Sequence, residues 1–337
     1  MKKKLFSLGL EVAMAASLTA CGGSGTAGTT KAAETTAADK AGAADNAAAG
    51  GVIKIGGIGP TTGGAAVYGL AVQHGAQLAV DEINAAGGIN GCTIEFNFQD
   101  DEHDPEKSVS AYNTLKDWGM QALMGTVTSG PCIAVADKTA ADNMFQITPS
   151  GSAVECAANP NVFRICFSDP DQGAASAKYI GENKLATKIA VIYDSSDIYS
   201  SGIYEKFAEE AANQGLEIVA AEAFTADSNK DFSTQLQKAK DAGAELVFLP
   251  IYYTEASLIL QQADKAGFET QFFGCDGMDG ILQVENFDTS LAEGLMLLTP
   301  FAADATDDLT VNFVKSYKDA YNEVPVQFAA DAYDAIY

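Results

Sequence analysis

The sequence is short of basic residues and of the side chains that most often bind metals or catalyse reactions. Its 337 residues include 20 Lys and Arg against 45 Asp and Glu, and only 2 histidines. A formal net charge of -25 repels phosphate backbones and anionic lipid headgroups, which disfavours nucleic-acid binding. The 6 cysteines form no CxxC pair and no zinc-type spacing. We therefore expect no catalytic residues, no metal, no cofactor and no nucleic-acid partner.

Long hydrophobic runs are also missing. The apolar stretch 5–20 follows three lysines and is shorter than the roughly 20 residues of a comfortable membrane span, so it is typical of a secretory signal peptide. It ends in Leu18-Thr19-Ala20-Cys21, which resembles the bacterial lipobox, whose cysteine is lipidated. Residues 22–51 are mostly Ala, Gly, Thr and Ser and cannot bury enough surface to fold. The sequence thus predicts a signal peptide at 1–21, lipidation at Cys21 and a disordered tether at 22–51.

The remaining chain predicts a globular α/β protein. Hydrophobic residues make up 47% of the sequence, enough for real cores. Short apolar runs predict strands at 52–58, 93–98, 122–124, 145–148, 188–193, 216–222, 245–250, 270–274 and 294–298. Amphipathic stretches predict helices at 67–85, 105–118, 131–143, 172–182, 202–214, 232–242, 255–266 and 309–321. Two rounds of this alternation indicate two Rossmann-like lobes, each a parallel sheet flanked by helices.

Polar and small residues cluster in loops that directly follow the predicted strands. Ligands of such folds bind beyond the carboxyl ends of strands. The loop 57–63 reads GxGxxxG and contains a proline, so it is a poor phosphate loop. The loop 125–130 lacks the lysine of a P-loop, and 148–152 does not match the GxSxG elbow of hydrolases. These loops instead predict a cleft whose first-lobe side carries hydroxyl and amide donors.

The second predicted lobe carries tyrosines and acids at its strand ends. Tyr199, Tyr252 and Asp276 follow three of its strands. Individually they are ordinary rim residues. Together with Ser129 in the first lobe they make a cleft with anion donors on one side and a cation acceptor on the other. That combination suits a zwitterion.

Histidine and cysteine supply only weak further signals. His74 lies within a predicted helix, where packing explains it. His103 lies in an acidic run, 100–104, which predicts a solvated loop more readily than a cation site. Outside the cytoplasm, Cys156 and Cys166 could close a short loop as a disulfide.

Several stretches together resemble the ABC-transporter substrate-binding lipoproteins of the leucine/isoleucine/valine-binding group, which have the type I periplasmic-binding fold. The matching stretches span nearly the whole chain from Val52 onwards. They are 58–63 with 68–69, 81–91, 125–130, 148–150, 163–164 with 171–173, 231–233 and 274–277.

The resemblance implies a role for each matched residue. Ser129 would bind the ligand carboxylate, Ser150 would offer its backbone carbonyl to the ammonium, and Ser152 would contact both ends. Tyr199 and Tyr252 would close over the ligand from the second lobe. The resemblance also implies that Asp276 pairs with the ammonium and that Tyr68 lines the side-chain pocket.

The resemblance further implies a domain plan and a function. Residues 52–166 and 298–337 would form the first lobe and 167–297 the second, joined by crossing hinge segments. Chains of the family usually continue beyond residue 337, so part of the first lobe would be missing here. We expect a monomeric, lipid-anchored receptor at the outer face of the bacterial cytoplasmic membrane, which captures an amino acid for an ABC permease. Alternatives are a binding protein for amides, urea or short peptides, and a ligand-sensing receptor module.

Overall fold

The computed structural model describes residues 50–337. The predicted signal peptide, the lipidation site at Cys21 and all but the last two residues of the predicted tether lie outside the described residues. None of the helices within 50–337 has both the length and the apolar character needed to cross a bilayer.

Two parallel β-sheets organise the described chain, and each has five strands. The first sheet contains β1 (Val52–Gly59), β2 (Thr93–Asp100), β3 (Ala122–Gly125), β4 (Gln146–Thr148) and β5 (Val162–Arg164). The second contains β6 (Lys188–Asp194), β7 (Glu217–Phe224), β8 (Leu246–Leu249), β9 (Gln271–Gly274) and β10 (Met296–Leu297). Every strand pair within the two sheets is parallel. The sheets and the helices packed on them are the first and second lobes.

Helices connect the strands and cover both sheets. In chain order they are α1 (Ala66–Ala85), α2 (Pro105–Trp118), α3 (Ser129–Asp142), α4 (Asp169–Glu182), α5 (Ile198–Asn213), α6 (Ser233–Asp241), α7 (Tyr253–Lys265), α8 (Asp308–Tyr321) and α9 (Gln327–Ile336). The predicted start of α2 is confirmed. The Asp104 carboxylate accepts hydrogen bonds from two backbone N–H groups of the first turn, and Pro105 occupies the first helical position.

The strand order explains where a site can form. The first sheet runs β2-β1-β3-β4-β5 and the second β10-β9-β8-β6-β7. In each sheet the order reverses at the first strand, β1 or β6, so the chain winds outwards in both directions from that point. Loops that leave the strands beside such a reversal diverge and open a crevice at their carboxyl ends. The α/β class and the two-lobed arrangement predicted from the sequence are confirmed.

Two elements were not expected from the sequence. Strand β5 has only three residues and lies at a sheet edge, too short for a periodic signal. Helix α9 packs closely along α1, as does α8. The contact between α1 and α9 requires glycine at position 75, where a Cβ atom would lie 2.0 Å from the carbonyl oxygen of Ala329. The last helices of the chain therefore belong to the layer that covers the first sheet.

The largest of the apolar clusters spans both lobes. It joins α1 of the first lobe to α7 of the second, through buried residues such as Tyr68, Tyr253 and Met278. Burying apolar surface contributes roughly 25 cal/mol per Å², so contact between the lobes stabilises this arrangement. The cleft between the sheets is thus held shut by packing as well as by polar contacts.

Candidate functional site

A small cavity lies between the two lobes, and all seven predicted ligand-binding residues line it. These are Tyr68, Ser129, Ser150, Ser152, Tyr199, Tyr252 and Asp276. Residues that sequence reasoning did not single out complete the lining, namely Val127, Thr128, Gly277 and Phe328. The cavity measures about 10 Å³, room for about one water molecule. Binding of anything as large as an amino acid therefore requires the lobes to separate.

The first-lobe wall consists of two loops that brace one another. They follow β3 and β4, neighbours in the sheet, so their side chains come into contact. The hydroxyl of Thr148 donates to the carbonyl of Thr126 at 2.6 Å, and Ser150 Oγ donates to the carbonyl of Val127 at 2.7 Å. The backbone N–H of Gly151 in turn donates to Thr148 Oγ1 at 2.8 Å. These bonds fix the loops before any ligand arrives.

Helix α3 points its N-terminus at the cavity. Ser129 is its first residue, and the side chain of the preceding Thr128 does not cap the helix. Instead, Thr128 Oγ1 lies 2.8 Å from His103 Nδ1. The macrodipole of a 14-residue helix places about half a positive charge at this end, which attracts a carboxylate. Ser129 Oγ accepts the backbone N–H of Ala153 at 3.1 Å, which leaves its own proton to donate.

The second-lobe wall centres on the carboxylate of Asp276, which follows β9 and is only 2% exposed. Its Oδ1 accepts the Tyr199 hydroxyl at 2.7 Å and its Oδ2 accepts Gln327 Nε2 at 3.3 Å. Within residues 50–337 no Lys, Arg or His forms an ion pair with Asp276. Burial raises the pKa of Asp276, although hydrogen bonds, led by that from Tyr199, oppose the shift. A buried carboxylate without a counter-ion is a ready acceptor for a cation.

Three tyrosines pack around this carboxylate and fill the space between the walls. The rings of Tyr199 and Tyr252 are stacked, 4.8 Å between centroids, and Tyr68 meets Tyr252 edge-on at 5.6 Å. Burial raises the pKa of all three hydroxyls, which therefore stay protonated and can donate. Gly277 is needed beside them, because a Cβ atom there would lie 2.6 Å from the Tyr199 hydroxyl.

Hydrogen bonds close the cleft from one lobe to the other. The Tyr68 hydroxyl donates to the carbonyl of Gly277 and accepts the backbone N–H of Tyr253 at 3.2 Å. The Tyr253 hydroxyl accepts the backbone N–H of Val67 at 3.1 Å. Thr254 Oγ1 donates to the carbonyl of Gly64 at 2.7 Å. The start of α1 and the start of α7 thus form the contact that shuts the cleft.

The thiols of Cys156 and Cys166 are free in this structure, as are those of the other described cysteines, so the disulfide between them remains a prediction. The Cys156 side chain turns instead towards Cys132 on α3 and donates to the carbonyl of Ser129 at 3.6 Å. Cys166 lies near Asp276. The adjacent Cys132 thiol raises the pKa of Cys156 most, and Cys166 raises it less.

The acidic run 100–104 is solvated only in part, with Asp100 and Glu102 exposed. Asp101 is fully buried, and burial raises its pKa to about 7. The His103 ring contacts Tyr252 of the other lobe edge-on, with 5.5 Å between centroids. His74 packs, as expected, with its ring stacked on Tyr321 at 4.1 Å. No group of three or more metal-binding side chains occurs in the part of the chain that the structure describes.

Phe328 and Gln327 escaped the sequence analysis for a clear reason, whereas Gln172 lies in the matching stretch 171–173 but was given no role. Phe328 and Gln327 lie on α9, which is distant in sequence from every strand-end loop. Gln172 on α4 accepts the backbone N–H of Asp276 at 3.2 Å. A search limited to the loops that follow strands does not find residues that reach the site from helices. Val127 and Thr128, by contrast, adjoin Ser129 and could have been included with its loop.

The family model described as "Periplasmic binding protein" matches residues 52–337. A Pseudomonas aeruginosa protein named leucine-, isoleucine-, valine-, threonine-, and alanine-binding protein is 30% identical over 280 residues, which cover 82% of this chain and 74% of that protein. The Leu/Ile/Val-binding protein homolog 3 of Brucella melitensis is 34% identical over 223 residues, 66% of this chain and 60% of its own length. This chain thus matches less than two thirds of the Brucella relative.

A solved structure extends the comparison to the fold. The branched-chain amino acid transporter substrate-binding protein LivJ of Streptococcus pneumoniae, crystallised with isoleucine, superposes with a TM-score of 0.80. The two chains are 33% identical, and the match covers 85% of this chain and 82% of the other.

Proposed function

The chain belongs to the periplasmic binding protein family, and from this premise we propose that it captures an apolar, branched-chain amino acid outside the cytoplasm for an ABC importer. The observation that carries the proposal is the pairing of opposite electrostatics across one cavity. Ser129 at the start of α3 and the uncompensated carboxylate of Asp276 line that same cavity from opposite lobes.

Each predicted residue takes a role in this proposal that its surroundings support. Ser129 binds the ligand carboxylate with its hydroxyl and the amides of the first turn of α3. Ser150 presents its backbone carbonyl to the ammonium, and Ser152 reaches both ends. Asp276 neutralises the ammonium, helped by the donors that hold its carboxylate in place. Tyr199 and Tyr252 then cover the ligand from the second lobe.

The remaining lining is apolar and favours an aliphatic side chain. Val127, Phe328 and the rings of Tyr68 and Tyr252 line the cavity together. Phe328 and Tyr68 have ring centroids 4.3 Å apart, which gives the cavity an aromatic wall. A polar ligand side chain would lose its hydration against these groups without regaining hydrogen bonds.

The ligand is captured when two lobes close over it. We assign residues 52–166 and 298–337 to the first lobe and residues 167–297 to the second. Because the closed cavity is smaller than an amino acid, the ligand enters an open form and its contacts with both walls shift the equilibrium towards closure. A permease can then distinguish the closed, loaded receptor from the open one. We further propose that the receptor acts as a monomer anchored by lipid at Cys21, for which the sequence 2–21 is the support.

A ligand screen tests the function directly. Thermal melting of the protein is measured with each of the twenty amino acids and with urea and simple amides, and hits are titrated by calorimetry. A ligand at 100 times its Kd adds about 2.7 kcal/mol to the free energy of unfolding. We expect leucine, isoleucine or valine to raise the Tm most. If amides or urea raised it and no amino acid did, the proposal would be wrong.

A further inference from the structure

Two cysteines of the first lobe lie side by side behind the anion-binding loops. Cys132 on α3 and Cys156 in the turn Val154–Ala157 are both fully buried and form one apolar cluster with Ala153. The two side chains are close enough for each thiol to shift the pKa of the other. The helix and the turn that carry these thiols are in direct contact.

The other cysteines between residues 50 and 337 have different surroundings. Cys275 Sγ lies 3.8 Å from the hydroxyl of Ser176 on α4, in the second lobe. Cys166 is close to the carboxyl groups of Asp276 and Asp331. Cys92 is half-buried at the start of the second strand of the first sheet. In the described chain, only Cys132 and Cys156 share a cluster of buried side chains.

Contacts of the pair reach directly into the ligand-binding wall. The Cys156 thiol donates to the carbonyl of Ser129 at 3.6 Å, while Ala153 N donates to Ser129 Oγ at 3.1 Å. Gln146 Nε2 lies 3.7 Å from Cys132 Sγ and donates to it. Proximity to Cys156 lowers the pKa of Cys132, and proximity to Cys132 together with burial raises the pKa of Cys156.

We propose that Cys132 and Cys156 are a modification site: an oxidisable pair that forms a disulfide beneath the anion-binding loops. The oxidant is a small disulfide of the glutathione type. One cysteine thiolate attacks a sulfur of that disulfide, which breaks its S–S bond and releases one glutathione thiol. The second cysteine then attacks the mixed disulfide and releases the other. The protein loses two electrons and two protons, and the glutathione disulfide gains both.

Burial sets when this reaction takes place and what it changes. Both sulfurs are shielded in the folded protein, so the exchange occurs as the turn Val154–Ala157 folds onto α3 or when it opens locally. The disulfide then ties the start of α3 to that turn and closes residues 132–156 into a loop, which lowers the conformational entropy of the unfolded chain. We expect this to raise the Tm by about 5 °C or more.

The protein's own trypsin sites make the pairing measurable. Cleavage after Lys138 and Arg164 leaves Cys132, Cys156 and Cys166 on the separate peptides 117–138, 139–164 and 165–178. The denatured, reduced protein is refolded with a mixture of oxidised and reduced glutathione, alkylated, digested and analysed by mass spectrometry. We expect 117–138 linked to 139–164, with the link lost on reduction. Alkylated Cys156, or Cys156 linked to 165–178, would overturn the proposal.

Matched variants provide a second readout. The Tm of the glutathione-refolded protein is measured with and without dithiothreitol for the wild type, Cys132→Ala and Cys166→Ala. We expect the reductant to lower the Tm of the wild type and of Cys166→Ala by about 5 °C or more and to leave Cys132→Ala unchanged. Loss of the effect in Cys166→Ala would contradict the assigned pair. Neither readout requires an amino-acid ligand, so the result is independent of the proposed function.

Discussion

The two walls of the cleft satisfy their polar groups in different ways. In the first lobe, the hydroxyls of Ser129 and Ser150 are held by backbone groups of the neighbouring loops. In the second lobe, the Asp276 carboxylate has donors but, among the described residues, no cation. Folding alone therefore provides hydrogen-bond partners for the polar groups of the first wall. The second holds an unfavourable charge that a ligand ammonium would relieve, so most of the binding energy should depend on it.

Neutralising Asp276 should have the largest effect. In Asp276→Asn the amide keeps the size of the side chain but cannot pair with an ammonium. Breaking a buried ion pair typically costs about 3–5 kcal/mol, so the Kd for leucine should rise by roughly a hundredfold to a thousandfold or more. Calorimetric titration measures it.

Asp264→Asn is the matched control, since Asp264 is an exposed carboxylate on α7 in the same lobe. Its Kd should equal that of the wild type. An unchanged Kd in Asp276→Asn would show that this residue does not bind the ammonium. It would also contradict the claim that most of the binding energy depends on the second wall.

Removing the Ser129 hydroxyl should have a smaller effect, because the amides and dipole of α3 remain. Ser129→Ala loses one hydrogen bond to a charged group, worth about 1.5–3 kcal/mol, so the Kd should rise about tenfold to a hundredfold. Ser201→Ala, a half-buried serine on α5, is the comparison variant. If Ser129→Ala weakened binding more than Asp276→Asn, the ranking of the walls would be reversed.

Tyr199→Phe should weaken binding by about tenfold. The change removes the donor to Asp276 Oδ1 and the acceptor of the Gly277 N–H, at 2.7 and 2.9 Å. It leaves the ring to stack on Tyr252. Without its strongest donor the Asp276 carboxylate is less favoured in its charged form, so the pKa of Asp276 should rise further. Affinity measured at neutral and at mildly acidic pH should fall more steeply on acidification in the variant; parallel profiles would contradict this role.

Acidification alone should give the smallest effect, a loss of affinity of a few-fold to about tenfold between pH 8 and pH 5. Burial raises the pKa of Asp276, so the free protein takes up a proton there as the pH falls and loses the charge that holds the ammonium. Asp169 and Asp279, whose pKa values burial raises to about 8 and about 6, also change charge between pH 8 and pH 5. Asp276→Asn separates the contribution of Asp169 and Asp279 from that of Asp276. We expect the residual affinity of this variant to be nearly independent of pH.

The sequence predicted the elements that have a strong local pattern and the residues that directly follow strands. Ser129, Tyr252 and Asp276 were found because parallel strands present their carboxyl ends at a common edge. Phe328 and Gln327 were not, because only tertiary packing brings α9 to the cavity. The roles of the lining residues remain predictions.

Which side chains become buried neighbours was harder to predict. The spacing of Cys156 and Cys166 allows a disulfide, but spacing does not tell that Cys132 from α3 shares a buried cluster with Cys156. The acidic run 100–104 looks solvated from its composition. The structure buries Asp101 in it, where the carboxylate accepts the backbone N–H of His103 at 2.9 Å. Local sequence does not record which loops become covered by the opposite lobe.

Calorimetry with leucine and its two truncated analogues tests most directly whether the cleft recognises both charged ends of one molecule. 3-Methylbutylamine keeps the ammonium and the side chain, and 4-methylpentanoate keeps the carboxylate and the side chain. We predict that leucine binds at least about a hundredfold more tightly than either analogue, because each leaves one wall unpaired. Binding of either analogue as tightly as leucine would contradict the opposed roles of Ser129 and Asp276.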